Sequence, residues 1–88
     1  MIVHEAKRFI AKFRRLPYRD KLAALEALEI FKNDPNHSSL ANHALHGRLT
    51  GKRAISVDHD LRIVFTVKGA YEDITLLDIG THTDVYGR

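Results

Sequence analysis

Three polar side chains near the end of the chain carry chemistry of one kind. Arg62 sits inside the apolar run Leu61-Arg62-Ile63-Val64-Phe65, while His82 and Tyr86 follow Leu76-Leu77-Asp78-Ile79 in the segment Gly80-Thr81-His82-Thr83-Asp84-Val85-Tyr86. A guanidinium on a rigid strand can hold phosphate in a bidentate contact, an imidazole can move protons near neutral pH, and a phenol can stack on a base. Each residue alone also has a plainer reading. Arg62 can pair with Asp58, Asp60 or Asp78, His82 can be an exposed tail imidazole, and Tyr86 can be a packing residue. Taken together they match the needs of metal-free RNA cleavage: a base for the 2′-OH, an acid for the departing 5′-oxygen, and cations for the phosphorane. Spacing alone does not bring them together.

A second group lies upstream, in Asn42-His43-Ala44-Leu45-His46-Gly47-Arg48-Leu49 and Thr50-Gly51-Lys52-Arg53. His43, His46, Arg48, Lys52 and Arg53 place two imidazoles and three cations within eleven residues. The histidines stand at i, i+3, but no Asp, Glu or further His is close enough to complete a metal set, so no metal is expected. The segment reads as a mobile loop that attracts anions, with an ordinary solvated loop as the open alternative.

Composition bounds what these groups can belong to. A chain of 88 residues with 44% apolar content fits one domain, residues 1–88, with a small core. The absence of cysteine excludes disulfides, thiolate metal sites and a Cys nucleophile. No apolar run approaches the roughly 18 residues of a membrane span, and no signal-peptide core opens the chain, so the expected location is the cytoplasm. The net charge of +3 is uneven: residues 1–33 hold eight Lys/Arg against four Asp/Glu, residues 34–54 three against one, and residues 55–88 three against six. This basic surplus is compatible with a polyanionic or acidic-protein partner.

The elements that must position the polar groups are legible from periodicity. Met1-Ile2-Val3-His4 reads as a short first strand. Phe9, Ile10, Phe13 and Leu16 then mark one face of a basic helix, with Lys7, Arg8, Lys12, Arg14 and Arg15 as its solvated remainder. Pro17 starts a second helix, on which Tyr18, Leu22, Leu25, Leu28 and Phe31 form a stripe and Ala23, Ala24 and Ala27 allow the first helix to approach. Turn formers from Asn33 to Ser39 end this helical hairpin, and a loop runs to about Leu49. From Arg53 the period is two, with turns at Asp58-His59-Asp60 and at Lys68 to Asp73, leading into Ile74 to Ile79. The expected fold class is α+β: a short first strand, a helical hairpin, and a three-stranded antiparallel meander forming a small twisted sheet covered on one face by the helices. Alternation sends Arg62 and Val64 to the other, half-covered face.

The order of these segments resembles the RelE/ParE superfamily of toxin-antitoxin toxins. The residues that carry it are Leu16-Pro17, Leu45-His46-Gly47-Arg48-Leu49-Thr50-Gly51, Leu61 to Phe65, and the Ile79-Gly80-Thr81-His82 ending, most similar to the RelE and YafQ branch. The resemblance implies a ribosome-dependent endoribonuclease that cuts messenger RNA without cofactor or metal. It implies proton transfer by His82, with His43 as second candidate, phosphate stabilisation by Arg62, and a base or phosphate oriented by Tyr86. Asp60 positions an imidazole, while Arg48, Lys52, Arg53 and His46 hold RNA. Two positions depart from the YafQ-like pattern: Ser56 stands where a histidine is expected and Asp78 where an arginine is expected. The implied partners are a cognate antitoxin, the ribosome with messenger RNA, and operator DNA through the antitoxin only, with no membrane partner. Two alternatives stay open, a ParE-like gyrase inhibitor and a catalytically decayed antitoxin-binding or co-repressor module.

Overall fold

The computed structural model describes residues 1–87. In chain order they form β1 (Ile2–Glu5), α1 (Lys7–Arg15), α2 (Tyr18–Asn33), β2 (His43–Ala44), β3 (Arg53–Ser56), β4 (Leu61–Lys68), β5 (Asp73–Thr81) and α3 (His82–Tyr86), with 3-10 turns at Ser38–Leu40 and Gly47–Leu49. The sheet runs β1-β5-β4-β3-β2, with β1 parallel to β5 and every other pair antiparallel. The meander of β3, β4 and β5 is the one expected from the period-two pattern. The region from Ser38 to Leu49, expected as a mobile loop, instead contributes two 3-10 turns and the edge strand β2, and its Leu40 and Leu45 are buried. Among the described residues no helix is long and apolar enough to cross a membrane.

Alternation divides the side chains of the meander between two faces. Leu61, Ile63 and Phe65 of β4 join Ile55, Ile74, Leu76 and Ile79 beneath the helices, against Phe9, Ala24, Ala27, Leu28, Phe31 and Leu40. Ala54, Val64, Leu45 and Val85 form a smaller cluster on the opposite face, flanked by Leu49, Leu77 and Tyr86. A bulge in β5 makes this division work. Simple alternation from Ile74 and Leu76 would carry Asp78 into the helix-covered core. The register instead passes from Phe65↔Leu76 to Val64↔Asp78, leaving Leu77 without a partner, so that Ile79 enters the core and Asp78 leaves it.

The helices differ from the expected hairpin in how they use their residues. The inward stripe of α2 is Ala24, Ala27, Leu28 and Phe31, while Tyr18, Leu22 and Leu25 of the expected stripe are exposed. That face turns Phe31 onto the sheet, where it meets Phe65 edge to face at 4.9 Å between ring centres. α1 packs chiefly against β5 rather than along α2. Between the two helices lies a groove of about 270 Å³, lined by Phe9, Ile10, Phe13, Leu25 and Leu28 together with Glu5 and Arg14.

Candidate active site

The open face of the sheet collects the chemistry. Arg62 lies opposite Ser56 on one side and Gly80 on the other, one row along from Val64. The chain turns out of β5 at Thr81, whose hydroxyl accepts from the Asp84 amide at 3.2 Å and caps the short α3. Gly87 ends α3 in the left-handed conformation at φ +65°, with its amide donating to the Thr83 carbonyl. This helix is not expected from sequence, which places His82 just past the end of the last strand. Five residues are too few for a helix to persist alone, so its contacts hold it: Val85 is buried in the open-face cluster.

α3 carries both His82 and Tyr86, which stand at i, i+4 on one side of it. Their rings meet perpendicularly with centres 4.4 Å apart. Burial raises the Tyr86 phenol above its ordinary range, an effect partly opposed by the nearby positive charge of Arg62. Its hydroxyl is shielded from solvent and has no hydrogen-bond partner among the described residues. The phenol is therefore neutral at physiological pH and has an unspent donor. Arg62 directs Nη1 at the carbonyls of Asp58, His59 and Leu61, at 3.1, 3.4 and 3.2 Å. Carbonyl partners orient the guanidinium without neutralising it, and among the described residues no carboxylate forms an ion pair with it. The salt bridges to Asp58, Asp60 or Asp78 that sequence allowed are not made. Cation, imidazole and phenol thus converge.

The other expected site residues sort by position. Asp60 accepts from the backbone amide of His82 at 3.4 Å, so it acts on the start of α3 and not on an imidazole ring. His43, opposite Ala54, shares the open face but lies two strands from Arg62, roughly 10 Å across the sheet. Its Nδ1 lies 2.9 Å from the Ala41 carbonyl, which assigns that nitrogen as the protonated one. Arg48 reaches from the loop to donate to the Tyr86 carbonyl at 2.6 Å, bracing the last turn of α3, and a side chain at Gly87 would displace that guanidinium. Lys52 lines a groove of about 470 Å³ with Arg8, Arg48, Val64, Leu77 and Val85, beside α3. His46 is exposed on the loop ahead of the Gly47–Leu49 turn.

Arg53 is not brought to this face. It lies opposite Phe65, and its Nε donates at 2.9 Å to the Asn42 side-chain carbonyl, whose amide nitrogen in turn reaches Tyr71 Oη at 2.9 Å and the Pro35 carbonyl at 3.0 Å. Tyr71 packs on the helix-covered core, so Arg53 fastens the loop there.

Of the two departures, Ser56 lies directly opposite Arg62, so the hydroxyl occupies the row in which the resemblance expects an imidazole. Asp78 is turned toward α1, where Lys12 Nζ stands 2.6 Å and Arg8 Nε 3.3 Å from its carboxylate. Lys12 is thereby a residue that sequence reasoning missed, having been assigned to the solvated side of α1. One signal was available: a carboxylate inside the run Leu76-Leu77-Asp78-Ile79 is buried only when paired with a cation. Among the described residues no group of three or more His, Asp or Glu side chains gathers as a metal site.

No family model matches the sequence, and no curated protein matches it by sequence. Solved structures do match by shape. A YoeB/ParE toxin from Agrobacterium tumefaciens aligns with a TM-score of 0.76 at 15% identity, over 93% of this chain and 99% of that one. YafQ from E. coli strain BL21(DE3) aligns at 0.69 and 20% identity over 97% of each chain. RelE in the archaeal RelE–RelB complex from Pyrococcus horikoshii aligns at 0.72 and 20% identity over 91% of this chain and 92% of that one. The chain has the fold of the RelE/ParE superfamily toxins.

Proposed function

We propose that this protein is the toxin of a toxin-antitoxin pair and cleaves ribosome-bound messenger RNA in the cytoplasm, without a metal or cofactor. The observation that carries the reading is the Arg62 guanidinium, without a carboxylate partner among the described residues and near enough for its charge to act on the Tyr86 phenol, with the His82 ring against Tyr86. In the reaction the 2′-oxygen bonds to phosphorus as its proton leaves, and the bond from phosphorus to the 5′-oxygen breaks as that oxygen is protonated. The products are a 2′,3′-cyclic phosphate and a 5′-hydroxyl. His82 handles the proton, Arg62 the charge of the phosphorane, and the neutral phenol of Tyr86 donates to a phosphate oxygen or stacks on a base. His43 is the second imidazole on the same face. Arg48 and Lys52 hold the RNA backbone from the groove beside α3, and His46 extends that surface. Asp60 sets the start of α3, and Arg53 acts on RNA only through the loop that it fastens.

An antitoxin is the proposed partner, because a neighbour of this fold was solved as a RelE–RelB complex. The groove between α1 and α2, continued by exposed Leu22 and Leu25, suits a segment with apolar anchors. The surrounding α1 carries basic residues and no acidic one in its first turn, which favours acidic flanks on that segment. Operator DNA is reached through the antitoxin.

Primer extension on translating ribosomes tests the reading. Cuts within codons that vanish in His82→Ala and Arg62→Ala are the expected result. Intact messenger RNA with inhibited supercoiling would establish a gyrase inhibitor instead. Ser56 in the row of Arg62 favours one second reading, an antitoxin-binding module without catalysis, for which neither effect is observed.

A further inference from the structure

α1 carries five cations, and one of them is not part of its solvated side. Lys12 is 18% exposed at its side chain, against 67% for Arg8 one turn earlier. Its Nζ lies 2.6 Å from Asp78 Oδ1 on β5 and 2.7 Å from Asp84 Oδ2 on α3. α1 thus meets β5 and α3, through carboxylates more than sixty residues further along the chain, at this one ammonium group.

The two carboxylates are not equivalent. Asp78 is 12% exposed at its side chain, lies opposite Val64 in the β4–β5 pairing, and accepts from the Ile79 amide at 2.9 Å, so it is fixed. Asp84 is 51% exposed and belongs to a helix too short to hold itself. Room for its carboxylate comes from Gly80, where a Cβ would collide with Asp84. The backbone at Gly80 is ordinary, so the requirement is one of space and is tied to this contact.

We infer that Lys12 is a positioning residue for the site: it ties α3 to β5 through Asp84 and so sets His82 and Tyr86 against Arg62. Asp78 is its anchor on the sheet, which gives the carboxylate in that strand a task. The other ties on α3 act elsewhere, Asp60 on the His82 amide and Arg48 on the Tyr86 carbonyl, whereas Lys12 acts on the middle of the helix. The role of Lys12 in the reaction rests on the nuclease reading above; its role in holding α3 does not.

Lys12→Met and Asp84→Asn are compared with Lys7→Met, an exposed control on the same helix. Asp84→Asn leaves Lys12 paired with Asp78 and so preserves the buried pair if Lys12→Met folds poorly. Amide exchange from Asp84 to Gly87 is expected to quicken by about ten-fold in both variants, since a tether removed lowers the cost of local opening. In ribosome-dependent cleavage, kcat is expected to fall about ten-fold or more, with KM changed by less than about two-fold, the signature of misplaced groups and not of lost binding. Lys7→Met should match the wild type in both assays. Unchanged exchange in the two variants overturns the inference whatever the activity. A raised KM with kcat intact also overturns it, because Lys12 would then be an RNA contact. A wild-type protein that cuts nothing defeats the nuclease reading, and the exchange comparison then decides the tether by itself.

Discussion

The two faces of the sheet are cut from the same strands and differ in what lies over them. On the closed face Phe31, Phe65, Ile55, Ile63, Ile74, Leu76 and Ile79 are all essentially inaccessible, sealed by α2 and by the apolar side of α1. On the open face Val64 and Ala54 have only a five-residue helix and one 3-10 turn above them, and Arg62 stands in the next row. The same alternation that fills the core with Leu61, Ile63 and Phe65 delivers Arg62 to the surface where a ligand can reach it. Stability and chemistry are therefore separated by one residue of register. The bulge at Leu77 keeps that separation through β5, admitting Ile79 to the core and releasing Asp78 to Lys12.

Substitutions on each face should give opposite signatures. The largest effect on stability is expected from Phe31→Ala, about 3–5 kcal/mol lost in urea unfolding, because a fully buried ring packed on Phe65 leaves a cavity. A loss under about 1 kcal/mol would show that the closed face is not where stability resides. Arg62→Ala should do the reverse. Cleavage on ribosomes falls by about 10²–10³-fold, the scale of removing one donor to a charged transition state, while the unfolding midpoint hardly moves. An unfolding loss as large as that of Phe31→Ala would make Arg62 a structural residue and erase the contrast.

The smallest effect concerns pH. The folded Tyr86 phenol has its pKa raised above the ordinary value of 10.0, so above that pH the unfolded chain releases this proton while the native protein retains it. The stability contribution of Tyr86 is thus complete below pH 10 and declines as pH rises through the folded pKa. Tyr86→Phe should flatten the alkaline decline in urea midpoint, and ultraviolet absorbance of the wild type should show one phenolate forming only above the ordinary value, which the variant lacks. Identical alkaline profiles in wild type and variant would mean that Tyr86 is not shielded.

Much of this arrangement was legible. The period-two run from Arg53 and the turn at Asp58-His59-Asp60 define β3 and β4, and alternation alone assigns Arg62 to the face opposite Ile63 and Phe65. Convergence of Arg62, His82 and Tyr86 was stated as a possibility that spacing could not decide. α2 was the instructive failure. Its largest apolar residues suggest the stripe Tyr18, Leu22, Leu25, whereas the buried face is Ala24, Ala27, Leu28 and Phe31, because the side of the helix that is covered depends on where the strands lie. Arg53 is separated from the open face for a different reason: in β3 it lies opposite Phe65, on the side of the sheet away from Ala54 and Val64.

The sequence by itself determined the alternating period of β3 and β4, the turn between them and the face on which Arg62 stands, since these follow from local sterics and the burial of apolar side chains. Tertiary structure decided what meets across distance. Thr81 and Gly87 mark the ends of α3 locally, but five residues do not hold a helix alone, and Val85, Asp84, the Tyr86 carbonyl and the His82 amide find partners on four other segments. Asp78 shows the same division. Its place in an apolar strand was plain from the sequence, but only the packing of α1 on β5 supplied the lysine that makes its burial stable and joins it to the helix bearing His82.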